Sequence, residues 1–204
     1  MQKPAINHPS NKNYSKYIVI ICSALIPSVL FINRFLIPDF SFDTLYYHLF
    51  NGLRGVQNYF WLFSSKEFYP VGFGYVAPVY DVIIYIFRAV LGYRLGTVVD
   101  LLAYIGIIIV CYKILDEFVD SFKKLHVAIK LILFLNIIIV TELLFQIATQ
   151  YVDIVDTFFV LLAIYLFFKY LDNKKNIYVW AATILFSITL LAKATNYIYM
   201  HIHP

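Results

Sequence analysis

Five long apolar stretches run through the chain, at 17–37, 96–115, 127–145, 154–170 and 177–192. Each is near the roughly 20 residues that a helix needs to cross a hydrocarbon core. A sixth stretch, 76–91, differs in kind. It is shorter, it starts around Pro78, and it carries Asp81 and Arg88. Two charges in so short a segment are costly at bilayer depth. The pattern therefore predicts an all-α fold: a polytopic transmembrane helix bundle with about five spans, and interfacial helices in the first outer loop.

The distribution of charge orients these spans. If 76–91 does not cross, the segments 1–16, 112–126 and 169–176 share one side of the membrane. With the adjacent span ends they hold Lys3, Lys12, Lys16, Lys113, Lys123, Lys124, Lys130, Lys169, Lys174 and Lys175, ten of the twelve lysines. Cytoplasmic loops carry such an excess. A crossing by 76–91 moves the later lysines outside and breaks the bias. The expected topology has the N-terminus inside and the C-terminus outside. The connection 38–95 is then an outer loop rich in Tyr, Phe and Trp, as segments at headgroup level are. Interfacial helices are expected near 43–61 and 76–91, with Pro70, Gly72 and Gly74 breaking the chain between them.

Composition narrows the class further. Of 204 residues, 62% are apolar, 19% aromatic and 14% charged, and the mean hydropathy is +0.77. A soluble domain runs at about 45–50% apolar and about 25% charged. A soluble enzyme, a disordered chain and a nucleic-acid module are excluded as main readings. The net charge of +4 reflects the lysines that fix orientation. Cys22 and Cys111 both lie in apolar runs, and no metal spacing exists. His201 and His203 belong to the terminal tail. The length suits one transmembrane domain over 1–204.

With only 12 acids, each acid position is informative. Asp43 follows the first span in Ser41-Phe42-Asp43-Thr44-Leu45-Tyr46-Tyr47-His48. Asp43 and Tyr47 are one helical turn apart and share a face. Helix capping explains an acid there equally well, and His48 fits a solvated interfacial position. Asp153 and Asp156 flank the start of the fourth span, three residues apart and on one helical face. Capping explains one of them; the deeper Asp156 needs a partner or water. Lys193 closes the last span, where a lysine can snorkel. The five-span topology puts Asp43, Asp153, Asp156 and Lys193 at the same outer surface. A carboxylate suits a general base for a hydroxyl, and a cation can hold a phosphate. Such a site suits transfer from a lipid phosphate.

The ordered set resembles the N-terminal part of the GT-C superfamily of polyprenyl-phosphate-sugar glycosyltransferases. The nearest resemblance is to glycosyltransferase family 39, with protein O-mannosyltransferases and aminoarabinose transferases. The similar elements are the Asp43 to His48 stretch, the aromatic Phe68-Tyr69-Pro70-Val71-Gly72, Tyr151-Val152-Asp153, and Ala192-Lys193-Ala194-Thr195-Asn196. Their order and spacing agree over nearly the whole chain. The resemblance implies that Asp43 deprotonates the acceptor hydroxyl and that Asp153 supports it or orients the acceptor. Lys193 lies near the donor phosphate, with Tyr47, His48 and Asp156 beside the substrates. Sugar passes from a polyprenyl phosphate to an unknown hydroxyl acceptor at the outer face. The expected location is a bacterial inner (plasma) membrane, as a multi-pass protein. The expected partners are the lipid bilayer, that donor and that acceptor, with no nucleic acid.

Two departures bear on this. Some relatives have a Glu-Lys pair before the proline of the aromatic stretch, where Phe68-Tyr69 stands here, with Lys66 and Glu67 close by. A role for a divalent metal is left open by that change. Family members are also typically more than twice as long. A truncated product, inactive alone, is therefore one expectation. A non-catalytic membrane subunit or lipid-binding protein that keeps the fold is the alternative function.

Overall fold

The computed structural model describes residues 12–36, 52, 53, 56, 79–139, 141–149 and 152–192. Among these, all regular structure is helical. The helices are α1 (Lys12–Phe35), α2 (Val79–Leu91), α3 (Val98–Phe118), the short α4 (Asp120–Lys123), α5 (Val127–Ile138), the short α6 (Thr141–Gln146), α7 (Asp153–Asn173) and α8 (Asn176–Ala192). A 3-10 turn, Leu95–Thr97, leads into α3.

Among the described residues, three helices are long and apolar enough to cross a membrane: Tyr14–Phe35, Leu95–Phe118 and Asp153–Asn173. A helix of 21 residues, such as α7, is about 32 Å long at about 1.5 Å per residue. That matches a hydrocarbon core of about 30 Å. The apolar stretches of α5 and α8 are shorter. α1 displays Tyr14, Ile18, Ile21, Leu25, Val29, Ile32 and Leu36 exposed along one side, each more than 45% accessible. Spacings of three and four place them on one stripe. In water so long an apolar stripe is costly; against acyl chains it is not.

The expected span at 127–145 is not one helix. It breaks at Ile139, whose ψ of 50° leaves the helical region, and resumes as α6. The break falls in the β-branched run Ile137-Ile138-Ile139-Val140-Thr141, where every side chain loses χ1 freedom in a helix. Just before it, the Asn136 amide donates to the Ile132 carbonyl at 2.8 Å.

The helices pack side by side in the order α8, α7, α3, α1, α5, while α2 lies against the 3-10 turn, α3 and α8. α7 and α8 form an antiparallel pair across Lys174 and Lys175. Lys174 takes a left-handed φ of 55° and donates its N–H to the Tyr170 carbonyl at 2.8 Å, closing the helix as αL caps do. α3 and α7 are instead parallel. Gly106 faces Phe158, Glu117 meets Tyr165 and Lys169, and Phe118 meets Phe168, a nearly constant register. A Cβ on Gly106 would stand 2.5 Å from the Phe158 ring. The missing side chain is what lets the two helices approach.

Both α3 and α7 therefore begin at one end, the upper end, and finish at the lower end. At the lower end the Lys169 ammonium meets the Glu117 carboxylate at 2.7 Å, and the Tyr165 hydroxyl donates to the same carboxylate at 3.1 Å. Lys113 lies over the Tyr165 ring. The core between the ends is built from Val19, Tyr104, Ile107, Ile108, Tyr112, Phe134 and Ile154, with Tyr80 and Ile84 from α2.

The stretch expected to lie along the surface, 76–91, forms α2 over its described part. Its 13 residues make it about 20 Å long, too short for the core. Tyr80, Asp81, Ile84 and Arg88 are buried. Both charges thus turn toward the packed helices. Gly92, with φ of 88°, ends the helix by donating to the Arg88 carbonyl at 2.8 Å, a positive-φ position where glycine has no Cβ penalty.

Candidate functional site

Four acids, Asp81, Asp100, Asp153 and Asp156, lie at the upper end. α7 opens with Asp153 and Asp156 in its first turn. Its N-cap is Val152, and no side chain caps it. Neither acid is the N-cap residue itself, and both carboxylates sit in the first turn, where the helix dipole favours negative charge.

Asp153 has a different partner. The Gln146 Nε2 donates to its Oδ2 at 2.7 Å. As a residue Asp153 is half-buried. Gln146 is itself buried, and its Oε1 has no hydrogen-bond partner among the described residues. A buried acceptor left unsatisfied costs about 1–3 kcal/mol, so this amide is held for its donor side.

The turn that positions Gln146 is tight. The Thr149 hydroxyl donates to the Gln146 carbonyl at 2.7 Å, and Ala148 takes a φ of 62°. That conformation is uncommon outside glycine. Arg34, at the end of α1, steadies this turn. Its guanidinium donates to the carbonyls of Phe145 and Ile147 and lies over the Phe145 ring, 5.4 Å from its centre.

Asp156 is buried, and the Tyr80 hydroxyl of α2 lies beside its carboxylate without a well-aligned hydrogen bond. Burial first, and the Asp156 charge second, push the Tyr80 phenol well above its ordinary range. The Tyr80 ring stacks on Phe159, one turn further along α7, with centres 5.7 Å apart. Asp156 thus has the neighbour that its depth demanded.

Two further acids belong to this end. Asp100 is fully buried in the first turn of α3. Asp81 is buried next to Tyr80 on α2. Arg88, two turns along α2, is buried with its guanidinium 3.8 Å from the centre of the Tyr93 ring. Charged groups buried among apolar helices are expensive and mark function more often than packing.

Asp153 and Asp156 are thus at one helix end, as their spacing implies. Asp43, Tyr47, His48 and Lys193 lie outside the described residues. The expected convergence of Asp43 and Lys193 on Asp153 lies outside them too. Among the described residues no group of three or more His, Cys, Asp or Glu could hold a metal ion. Both cysteines are free.

Sequence reading did not find Tyr80, Gln146 or Arg34. Each sits far along the chain from its partner or in an unremarkable context. Gln146 alone left a trace, as a polar residue close before Asp153.

No protein-family model, curated protein or solved structure matches this chain.

Proposed function

We propose that this chain forms the membrane-embedded part of a glycosyltransferase that moves a sugar from a polyprenyl phosphate to an acceptor hydroxyl. The observation that supports this most directly is the Asp153 carboxylate, bonded by Gln146 beside the buried Asp156 and Tyr80. A carboxylate that orients a substrate needs a defined position, and the Gln146 bond supports one for Asp153. The likeness of the Asp43 to His48 stretch and of Lys193 to glycosyltransferase family 39 supplies the rest.

In this reading the chain crosses the membrane about five times. Lys16, Lys113, Lys123, Lys130, Lys169 and Lys174 belong to the lower end, which then faces the cytoplasm. The upper end faces outward from a bacterial plasma membrane. Asp43 takes the proton of the acceptor hydroxyl. The oxygen attacks the anomeric carbon, the bond from that carbon to the phosphate oxygen breaks, and the polyprenyl phosphate leaves. Lys193 balances charge on the departing phosphate, and Asp153 orients the acceptor. Tyr80 offers a donor beside Asp156.

The test uses the full chain reconstituted in vesicles with a panel of hexosyl and pentosyl polyprenyl phosphates. Mass spectrometry of the lipids reads sugar loss. Removing a positioned acid or base costs about 10²–10⁴-fold. Asp43→Asn should fall by that much with membrane insertion unchanged, and Asp153→Asn should fall with it. A chain that leaves every donor intact sinks the enzymatic reading and favours the non-catalytic lipid-binding one.

A further inference from the structure

The lower end holds a cavity that the upper-end chemistry does not use. It has a volume of about 620 Å³ and lies between the start of α1, the end of α3 and the start of α5. Three lysines line it: Lys16 from α1, Lys123 from α4 and Lys130 from α5. His126 adds a ring, and Asp116 is the one acid among the described lining residues.

The charges are incompletely matched. Lys123 is bonded to Asp120 at 2.8 Å, on the solvent side. Lys130 is the buried one, with its ammonium 3.9 Å from Asp116, beyond hydrogen-bond reach. It stands 4.9 Å from the centre of the Phe122 ring, one wall of an aromatic cluster with Tyr112 and Phe134. A buried ammonium paired only at 3.9 Å with a well-exposed carboxylate is incompletely compensated, and an anion in the cavity would compensate it further. Lys16 forms no ion pair among the described residues. The His126 Nδ1 accepts from the Ala128 N–H at 3.3 Å, which leaves Nε2 to donate. The first turn of α5 also opens here, and helix N-termini favour anions.

The surroundings identify the anion's carrier. Tyr14 and Ile18 of α1 line the cavity and are exposed, and the same two helices expose Ile21 on α1 and Ile129, Ile132 and Leu133 on α5. A cationic cavity beside exposed apolar helix faces suits one molecule with a phosphate and acyl chains. Basic pockets between membrane helices on the cytoplasmic side bind anionic headgroups in this way.

We propose that this cavity binds the phosphate of an anionic phospholipid, with Lys130 and Lys16 as its main cationic contacts and the acyl chains lying along α1 and α5. The inference is independent of the glycosyltransferase reading, and its test requires no catalysis.

The full chain, purified in neutral detergent, is titrated with phosphatidylglycerol, phosphatidylcholine and inorganic phosphate, and native mass spectrometry counts what is retained. One equivalent of phosphatidylglycerol should bind saturably, ahead of phosphatidylcholine. Loss of one charge-assisted contact should weaken binding by about tenfold. Lys130→Gln and Lys16→Gln should each show that loss, Lys130→Arg should retain most affinity, and Lys174→Gln, outside the cavity, should match the parent chain. Lys16 is only half-buried on the first turns of α1, so its variant keeps the test valid if Lys130→Gln fails to fold. Equal retention by Lys16→Gln and the parent chain overturns the proposal. So does equal binding of phosphatidylcholine. Inorganic phosphate that binds as tightly as phosphatidylglycerol would show a free-anion site and overturn the lipid assignment.

Discussion

The Gln146 amide donates to the Asp153 carboxylate at 2.7 Å, across the short turn that joins α6 to α7. This bond crosses the boundary between two helices and holds the less buried of the two acids in the first turn of α7. Gln146→Leu should free that carboxylate from its position while leaving the helices intact. If transfer occurs at this end, the variant should lose at least about tenfold in rate, with unchanged helical content by circular dichroism. Full activity in Gln146→Leu would show that the bond is structural only.

The two ends of the packed helices should lie on opposite sides of the membrane. Single cysteines at Lys123, Asp153 and Asp43, introduced after replacing Cys22 and Cys111, test this by labelling with a membrane-impermeant reagent. Positions 153 and 43 should react from outside and position 123 only after permeabilisation. Labelling of position 123 from outside inverts the topology and with it the assignment of the acids to the outer face.

Gly106 and Phe158 set the spacing of α3 and α7. Gly106→Val should destabilise the protein by about 1–3 kcal/mol through overpacking, read as a lower midpoint of thermal unfolding in detergent. Phe158→Ala in the same chain should recover part of that loss. No recovery would mean that another neighbour sets the helix separation.

Glu117, Lys169 and Tyr165 tie α3 to α7 at the lower end, with Glu117 and Lys169 about one-third and one-quarter exposed. A double-mutant cycle over Glu117→Gln and Lys169→Gln should give a coupling of about 0.5–1 kcal/mol. The value should shrink in high salt, since the pair is partly open to solvent. An unmeasurable coupling would leave the helix register to packing alone.

Asp120 is held below its usual carboxylate range, first by its hydrogen bond from Lys123 and then by that lysine's charge. A lowered folded pKa means the pair supports the fold above the unfolded carboxylate pKa. That support is lost as pH falls through the folded value. The Asp120 carboxyl titration, followed by nuclear magnetic resonance, should have its midpoint below about 3.9. In Lys123→Gln it should return toward that value. No movement would show that the pair does not persist in solution.

Long apolar runs made α1, α3, α7 and α8 legible, because a continuous run longer than a soluble helix needs has few other uses. The ends of α7 and α8 came out within a residue or a few of those expected at 154–170 and 177–192. The third run is not one continuous helix over its last part. Hydropathy is blind to the loss of helix propensity in five consecutive β-branched residues, and α5 stops inside them. At the upper end, the pair Asp153 and Asp156 followed from helical spacing. Their neighbours did not. Gln146 reaches Asp153 through a turn with a left-handed alanine, which no local pattern announces. Tyr80 reaches Asp156 from a separate helix, and Arg34 reaches the turn from α1. Such contacts are fixed by how helices stack, and periodicity along one helix carries no record of that.

The parallel course of α3 and α7 has a consequence for biosynthesis. Adjacent helices in a chain can pair as hairpins while they leave the ribosome, but α3 and α7 are neighbours in space without being neighbours in order. α3 emerges with the groove at Gly106 empty, and the Phe158 ring that fills it is translated only after α5 and α6. Until then the groove must be covered by lipid or by an insertion factor. The α3–α7 contact therefore forms later than any contact among the helices that precede α7, and a substitution that spoils it should leave a chain that inserts normally and is cleared afterwards by quality-control proteases.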